Sequence, residues 1–585
     1  MTRSTRVTTT AFAAALLVAA STAVATPAHA ATFEVTTNAD SGAGSLRQAV
    51  LDANASPGPD TVTFAVGLAG QTIELDGVII VTETLDIDGL GSAQLTIERS
   101  APIVMDMLAF QPIAAGQDFT VRGITLLGDG STAGSGVIAN NNVETPRDVS
   151  LDDVVINDMF TTIDGAAMNV FIISGSLSII DSFFASNVSD ADGGAVRAAG
   201  VGEHITIVNS EFESNVADGE GGAVATDGLA GVTIEASTFT SNEAETGGGL
   251  AVRTDGALEI EQSTFVRNDA SAGGGLFAAT VTEPSRIVDS TFDDNAAGQR
   301  GGGAYIDEAL ARVTVSRSLF DSNTALFSAQ SGSYGGGLYV GTVRDGGSLV
   351  VDSTTFTGHR LDPGLLSNGS GLGLAVNEVA SGSEVQIINS TLSERAQTQG
   401  AAIYLGDLAE GSTSTIEHST VVGEYGVRVN DNLGTVNVRH SILVNGAVMG
   451  GGLALSGLGN PVSMAWSLST GAIVPAITDN GGNQFSADPQ LGPLADNGGP
   501  TPTLLPATSS PALNTGDPAI AGEPAVDQRG SGFDRILQGR IDLGAVETDA
   551  ELAATGTEWV PGLLAGGFTL LLLGVAILAP RRRRA

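Results

Sequence analysis

Four adjacent pairs in this 585-residue chain carry side chains able to act on sugars or anions: Asp152-Asp153, Asp293-Asp294, His359-Arg360 and Arg439-His440. Two carboxyls flanking a bond can cleave a glycosidic linkage, and a base beside a cation can abstract a proton and stabilise the anion that forms. Neighbouring residues on a strand point to opposite faces, and neither acid pair recurs or has a basic residue next to it. In so acidic a chain both pairs read as solvated turns. The His-Arg pairs come nearest to lyase equipment, but only a turn would bring the two members of either pair together. The sequence therefore assigns no catalytic residue.

Whole classes of chemistry are excluded by composition. The chain contains no Lys, so it has no Schiff-base nucleophile, no P-loop lysine and no Lys-Asn isopeptide cross-link. It also contains no Cys, which removes disulfides and thiolate metal sites. His204, His359, His418 and His440 are scattered without metal-ligand spacing, and no calcium loop of the Asp-x-Asp-x-Asp-Gly or Gly-Gly-x-Gly-x-Asp kind is present. No metal site and no cofactor is expected. A formal charge of −40 has the wrong sign for nucleic acid or an anionic lipid surface.

One set of residues suggests binding. Phe277, Tyr305 and Tyr339 occupy equivalent places in three consecutive repeats, each as the second member of an apolar pair. If the first member faces inward, the three rings face outward as a flat ladder on which sugar rings could stack. The competing expectation is that the rings stabilise the sheet by stacking on each other, at about 0.2–1 kcal/mol per pair.

The elements that would position these residues follow from a repeat. Phe-x-x-Asn recurs at Phe184/Asn187, Phe212/Asn215, Phe239/Asn242, Phe265/Asn268, Phe292/Asn295 and Phe320/Asn323, with Asn spacings of 28, 27, 26, 27 and 28. A glycine cluster and an apolar pair follow each, as in Gly274-Gly275-Leu276-Phe277. Stretches such as Leu258-Glu259-Ile260-Glu261 alternate with period two, and no window of the repeat sustains a helical period. Some 27 residues per turn, cut into short strands by Gly and Asn, predict an all-β parallel β-helix over residues 61–487, with coils stacked ~4.8 Å apart. Stacking turns the recurring Phe into an internal aromatic column and the recurring Asn into an amide ladder.

Ser45-Leu46-Arg47-Gln48 predicts a capping box and a short helix closing the N-terminal end within 31–60, and Pro- and Gly-rich residues 488–547 predict irregular closing coils at the other. Targeting signals flank this body. Arg3, Arg6 and the apolar run from Ala11 lead to Ala28-His29-Ala30, which predicts a signal peptide over 1–30 with cleavage before Ala31. After a linker over 548–558, residues 559–580 are apolar and uncharged, long enough as a helix to cross a bilayer at ~1.5 Å per residue. Arg581–Arg584 in the tail 581–585 predict that everything before the helix lies outside.

The Phe-x-x-Asn and Gly-Gly repeats over about 180–340 resemble those of the polymorphic outer-membrane protein family, whose passenger regions are β-helical adhesins. The opening at Thr37–Gly42 and Ser45–Val50, and the closing residues Asp527–Gly530 and Ile541–Glu547, resemble bacterial surface proteins with right-handed parallel β-helix repeats of the choice-of-anchor type. Leu552-Ala553-Ala554-Thr555-Gly556 resembles the Leu-Ala-x-Thr-Gly sorting signal of high-GC Gram-positive bacteria. That resemblance implies cleavage after Thr555 by a sortase and linkage to peptidoglycan; the alternative is a plain membrane anchor. The expected function is adhesin-like attachment to an extracellular glycan or a host or matrix surface ligand. Alternatives are a polysaccharide lyase or glycoside hydrolase with a groove on the β-helix, and a structural surface component.

Overall fold

A computed structural model describes residues 29–549, apart from 101–105, 141–144, 326–334, 362–370, 395–399, 446–452, 456–458, 472–475, 520–521 and 538. The signal peptide through Ala28, the sorting motif Leu552–Gly556, the apolar segment 559–580 and the basic tail lie outside the described residues. Among the described residues no helix is long and apolar enough to cross a membrane. The chain divides into two compact units, Met1–Glu211 and Phe212–Ala585.

In the first unit, parallel strands Asp60–Phe64, Leu85–Asp88, Phe119–Leu127, Val149–Asn157, Leu177–Ile180 and His204–Val208 follow one another in one sheet. A second sheet runs through Val137–Asn140, Met168–Ile173 and Val196–Val201. Alternation sets which residues go inside: Val149, Leu151, Val154 and Ile156 are buried while the residues between them reach the surface. Thr32–Val35 pairs in parallel with the strand Asp60–Phe64. The helix Leu46–Asn54 packs Leu46, Ala49, Val50 and Ala53 inward against these first strands. Ser45 caps it by accepting from the Gln48 N–H (3.2 Å), but Gln48 does not complete the reciprocal bond and donates to Asp52 instead (2.8 Å).

The second unit repeats the predicted coil. Three short strands, such as Leu258–Glu261, Thr264–Val266 and Asp269–Ala272, are followed by a longer one, Leu276–Val281, each paired in parallel with its counterpart one coil on. Phe212, Phe239, Phe265, Phe292 and Phe320 stack at 4.7–4.9 Å with ring planes within 7°. The Asn ladder forms as expected: Asn242 Nδ2 donates to Asn268 Oδ1 (2.9 Å) and Asn268 Nδ2 to Asn295 Oδ1 (2.9 Å), all fully buried.

Three details extend the repeat. The residue before each ladder Asn, for example Arg267 at φ 53°, takes the left-handed conformation that turns the coil, a costly one for a residue with a Cβ. A second ladder runs through Ser237, Ser263, Ser290 and Ser318, each backbone N–H donating to the hydroxyl one coil on (3.2 Å). The template also continues beyond Asn323, because Phe356 stacks on Phe320 at 4.8 Å and His359 takes the ladder place. Glycine has two uses here. Gly273 supplies φ +66°, while a Cβ on Gly275 would lie 2.6 Å from the Gly303 carbonyl, so the second is required by the approach of the next coil.

Residues 488–547 depart from the expected closing coils. A hairpin, Leu491–Ala495 against Thr503–Pro506, is the one antiparallel pair of strands described, and residues from Thr501 onward lie along successive coils as a lateral strap. Thr501 donates to the Ser353 carbonyl (3.3 Å), Gln528 bonds Thr355 (2.8 Å) and Thr391 (2.5 Å), Arg535 donates to Asn389 (2.7 Å), and the Ala545 N–H donates to Thr420 (3.0 Å). Arg535 is fully buried, its guanidinium also held by the Gly544 and Ala545 carbonyls. The residues read as an end cap cover a side.

Candidate functional site

The strap closes over a charged corner. Thr413–Glu417 and Thr435–Arg439 are neighbouring parallel strands, and each ends in a His at φ 48°, His418 and His440. Equivalent places in consecutive coils stack, so the two rings lie 4.7 Å apart. Glu523 enters from the strap. It contacts His418 Nε2 (2.5 Å) and His440 Nδ1 (3.5 Å) through one oxygen, and Arg439 through the other. Arg439 also reaches Glu417 (3.4 Å). The left-handed turn therefore does bring Arg439 and His440 onto one partner.

Donor atoms of Glu417, His418, His440 and Glu523 lie within 4.8 Å of one another, which corrects the reading that the histidines have no metal-ligand arrangement. The hydrogen bonds oppose a metal all the same. The Asp517 N–H donates to His440 Nε2 (3.0 Å), so in the neutral ring the proton sits on Nδ1, the atom a metal would need. Burial, with the neighbouring His418, pushes His440 down to about 4, and burial, with Arg535 and Arg439, pushes His418 lower still. Two neutral imidazoles sharing one carboxylate make a polar lock. His418, His440 and Glu523 have side chains at most 1 % exposed, out of reach of a polymer.

The other His-Arg pair is separated. His359 is buried, its Nδ1 at 2.5 Å from Glu394 and its Nε2 at 3.4 Å from Asn323, while Arg360 lies on the following strand. The acid pairs each put one member in a left-handed corner, Asp153 at φ 51° and Asp294 at φ 52°. Asp153 accepts both the hydroxyl (2.6 Å) and the N–H (3.2 Å) of Ser92. Asp152 is different, since Arg122 stands beside it in the adjacent strand and Asp88 stands beside Arg122. Arg122 also pairs with Asp86 (3.1 Å). Burial raises the Asp86 carboxyl, Arg122 opposes that, and Asp88 and Asp152 add to it. Asp86 thus pairs with Arg122 on a partly exposed sheet face, with Asp88 and Asp152 at the register positions on either side of Arg122. No basic residue adjoins Asp152 in sequence, but Arg122 lies beside it one coil back.

The aromatic ladder needs a correction. Phe277, Tyr305 and Tyr339 do align in one column, as the register requires. They are only 6, 7 and 2 % exposed, and they meet edge to face at 67° and 70° rather than as a flat platform. Arg253 sits over the Phe277 ring and Arg300 over the Tyr339 ring. Ala251, Ala375 and Tyr404 continue the column, which serves the sheet's own packing.

One outward sheet face is largely polar. On the outward face of the first sheet in the second unit, Thr233, Glu259, Arg286 and Thr314 follow in register, and Gln386, Thr415, Asn437 and Ser463 continue beyond Val350. Arg286 bridges Glu259 (3.2 Å) and Glu261 (3.4 Å).

Comparison with known proteins agrees with this coil. The family described as right handed beta helix region matches residues 170–356. The fold is accordingly a right-handed parallel β-helix. No curated protein matches the chain. Among solved structures, tailspike protein 3 of bacteriophage CBA120 is 12 % identical with a TM-score of 0.31, covering 72 % of this chain. This chain spans 57 % of that tailspike's length. The A-modules of the Azotobacter vinelandii mannuronan C-5 epimerases AlgE4 and AlgE6 are 11 % and 13 % identical, each with a TM-score of 0.28. They cover 76 % and 78 % of this chain, which spans 98 % and 100 % of theirs.

Proposed function

We propose that this chain is an exported, envelope-anchored surface protein that attaches to extracellular glycan through the outward sheet face of its β-helix, without cleaving it. The observation that carries the reading is the in-register polar row through Glu259 and Arg286. It repeats donors and acceptors coil after coil at ~4.8 Å, which suits a polymer with a repeat of its own. The two imidazole–carboxylate groups are meanwhile sealed inside. Export and anchoring rest on Ala28-His29-Ala30, on Leu552–Gly556 and on the apolar segment with its Arg tail. In this reading sortase and peptidoglycan are the partners, and the cell wall of a Gram-positive envelope is the location.

The test is a glycan and polysaccharide screen of the purified protein, with retained binding and released oligosaccharide read from the same wells. Binding without release is expected, and Glu259→Ser/Arg286→Ser should weaken it at least about tenfold with the melting temperature unchanged. No binding to any glycan, or full binding by the variant, would overturn the reading.

One observation favours a second reading, a glycoside hydrolase. Asp86, an acid pushed upward by burial, has two further carboxyls, Asp88 and Asp152, in register beside Arg122, and a raised acid with a second carboxyl nearby is what hydrolysis uses. Oligosaccharide release that disappears in Asp86→Asn and Asp152→Asn would establish it.

A further inference from the structure

Ala31 is the residue at which the Ala28-His29-Ala30 pattern places the start of the exported chain. Its N–H donates to Asp60 Oδ1 (2.7 Å) and its carbonyl accepts from the Thr61 N–H (2.9 Å). The strand that follows, Thr32–Val35, pairs residue for residue with Thr61–Phe64. His29 and Ala30 are exposed, whereas Asp60 is 2 % exposed. Asp60 has no ion-pair partner among the described residues, and its Oδ2 is buried with no hydrogen bond. A buried carboxylate with one oxygen unsatisfied is a costly arrangement in a finished protein. It becomes intelligible if a donor and a positive charge are still to come.

We propose that removal of the leader supplies both, and that Asp60 is the receptor for the new N-terminus. Hydrolysis of the Ala30–Ala31 peptide bond by a signal peptidase consumes one water, leaves a carboxylate on Ala30 and frees the amine of Ala31, which takes up a proton. The resulting α-ammonium carries three N–H donors where the amide had one. One keeps the bond to Oδ1, a second is available to Oδ2, and the charge neutralises the carboxylate inside the fold. The leading strand, paired with Asp60–Phe64, is thereby fixed to the body at its first residue when the chain is processed. The inference rests on the export reading above and adds to it a structural role for the cleaved end.

The absence of Lys makes the test specific, because the α-amine is the sole primary amine of the processed chain. The exported protein is purified, its first residue read by intact mass, and its acetylation by an amine-selective reagent timed against pH, folded and in urea. A start at Ala31 is expected, with acetylation at least about tenfold slower in the folded protein and its half-maximal pH moved upward relative to urea. An upward move marks an ion pair, whereas a merely buried amine would move down. Asp60→Asn should abolish the upward move; should that variant not fold, the wild-type comparison decides alone. A chain starting at Ala31 whose amine reacts as in urea, or whose half-maximal pH falls, overturns the pair and leaves the processing reading standing. A different first residue overturns both.

Discussion

Asn268 shows how much one side chain carries in this architecture. Its Oδ1 accepts from both the N–H and the Nδ2 of Asn242, and its Nδ2 donates to Asn295 and to the Phe239 carbonyl, all at 2.9–3.0 Å and away from water. Asn268→Ala would strand these groups at about 1–3 kcal/mol each, so a loss of at least ~3 kcal/mol is expected, allowing for relaxation. Urea unfolding beside the outward control Thr264→Ala checks it; equal midpoints would count against the ladder as a source of stability. At this scale the sequence is legible where chemistry repeats. Phe265 and Asn268 announce their columns, because identical residues at a fixed spacing must stack. His359 in place of Asn, Arg122 beside Asp152 and His440 beside His418 are as close in space but share no residue type or constant spacing, so the contacts stay hidden. The coil-equivalent places of His418-Ser419 and His440-Ser441 are the signal that could have revealed the last of these.

At the scale of elements, the strap is joined to the coils through the polar lock. His440 stays neutral down to about pH 4 in the fold, against an ordinary value near 6.5. An unfolded chain therefore binds the proton first as the pH falls. The contribution of His440 to stability is complete above pH 6.5 and drains away toward pH 4, a change on the order of 3 kcal/mol. Protonation also costs the strap its Asp517 bond, since Nε2 stops accepting. His440→Gln, neutral throughout, should flatten this part of the profile, read by thermal unfolding and by hydrogen exchange at the Asp517 amide between pH 7 and 4; an unchanged slope would reject the lock. The strap itself was only half legible. Pro and Gly marked 488–547 as irregular, but nothing local says that Glu523 and Arg535 belong with His418 and Asn389, because those partners lie more than a hundred residues away and outside any repeat.

At the scale of the whole molecule, the proposed location rests on the two terminal segments of the sequence. If the sorting reading holds, Thr555→Ala should move the protein from the peptidoglycan fraction to the detergent-extractable membrane fraction of an expressing Gram-positive host; wall attachment undiminished by the change would show that the motif is not used. The amide ladder of the second unit adds a property that belongs to the assembly rather than to any residue. Every rung points the same way, with Nδ2 donating toward the later coil, from Asn215 through Asn323. Aligned rungs polarise one another and add their dipoles, leaving a positive pole at the C-terminal end. The last rung meets His359, which passes on to Glu394, a carboxylate with 1 % of its side chain exposed. The solenoid thus has an internal electrical direction, and its positive pole runs through His359 to a buried carboxyl side chain.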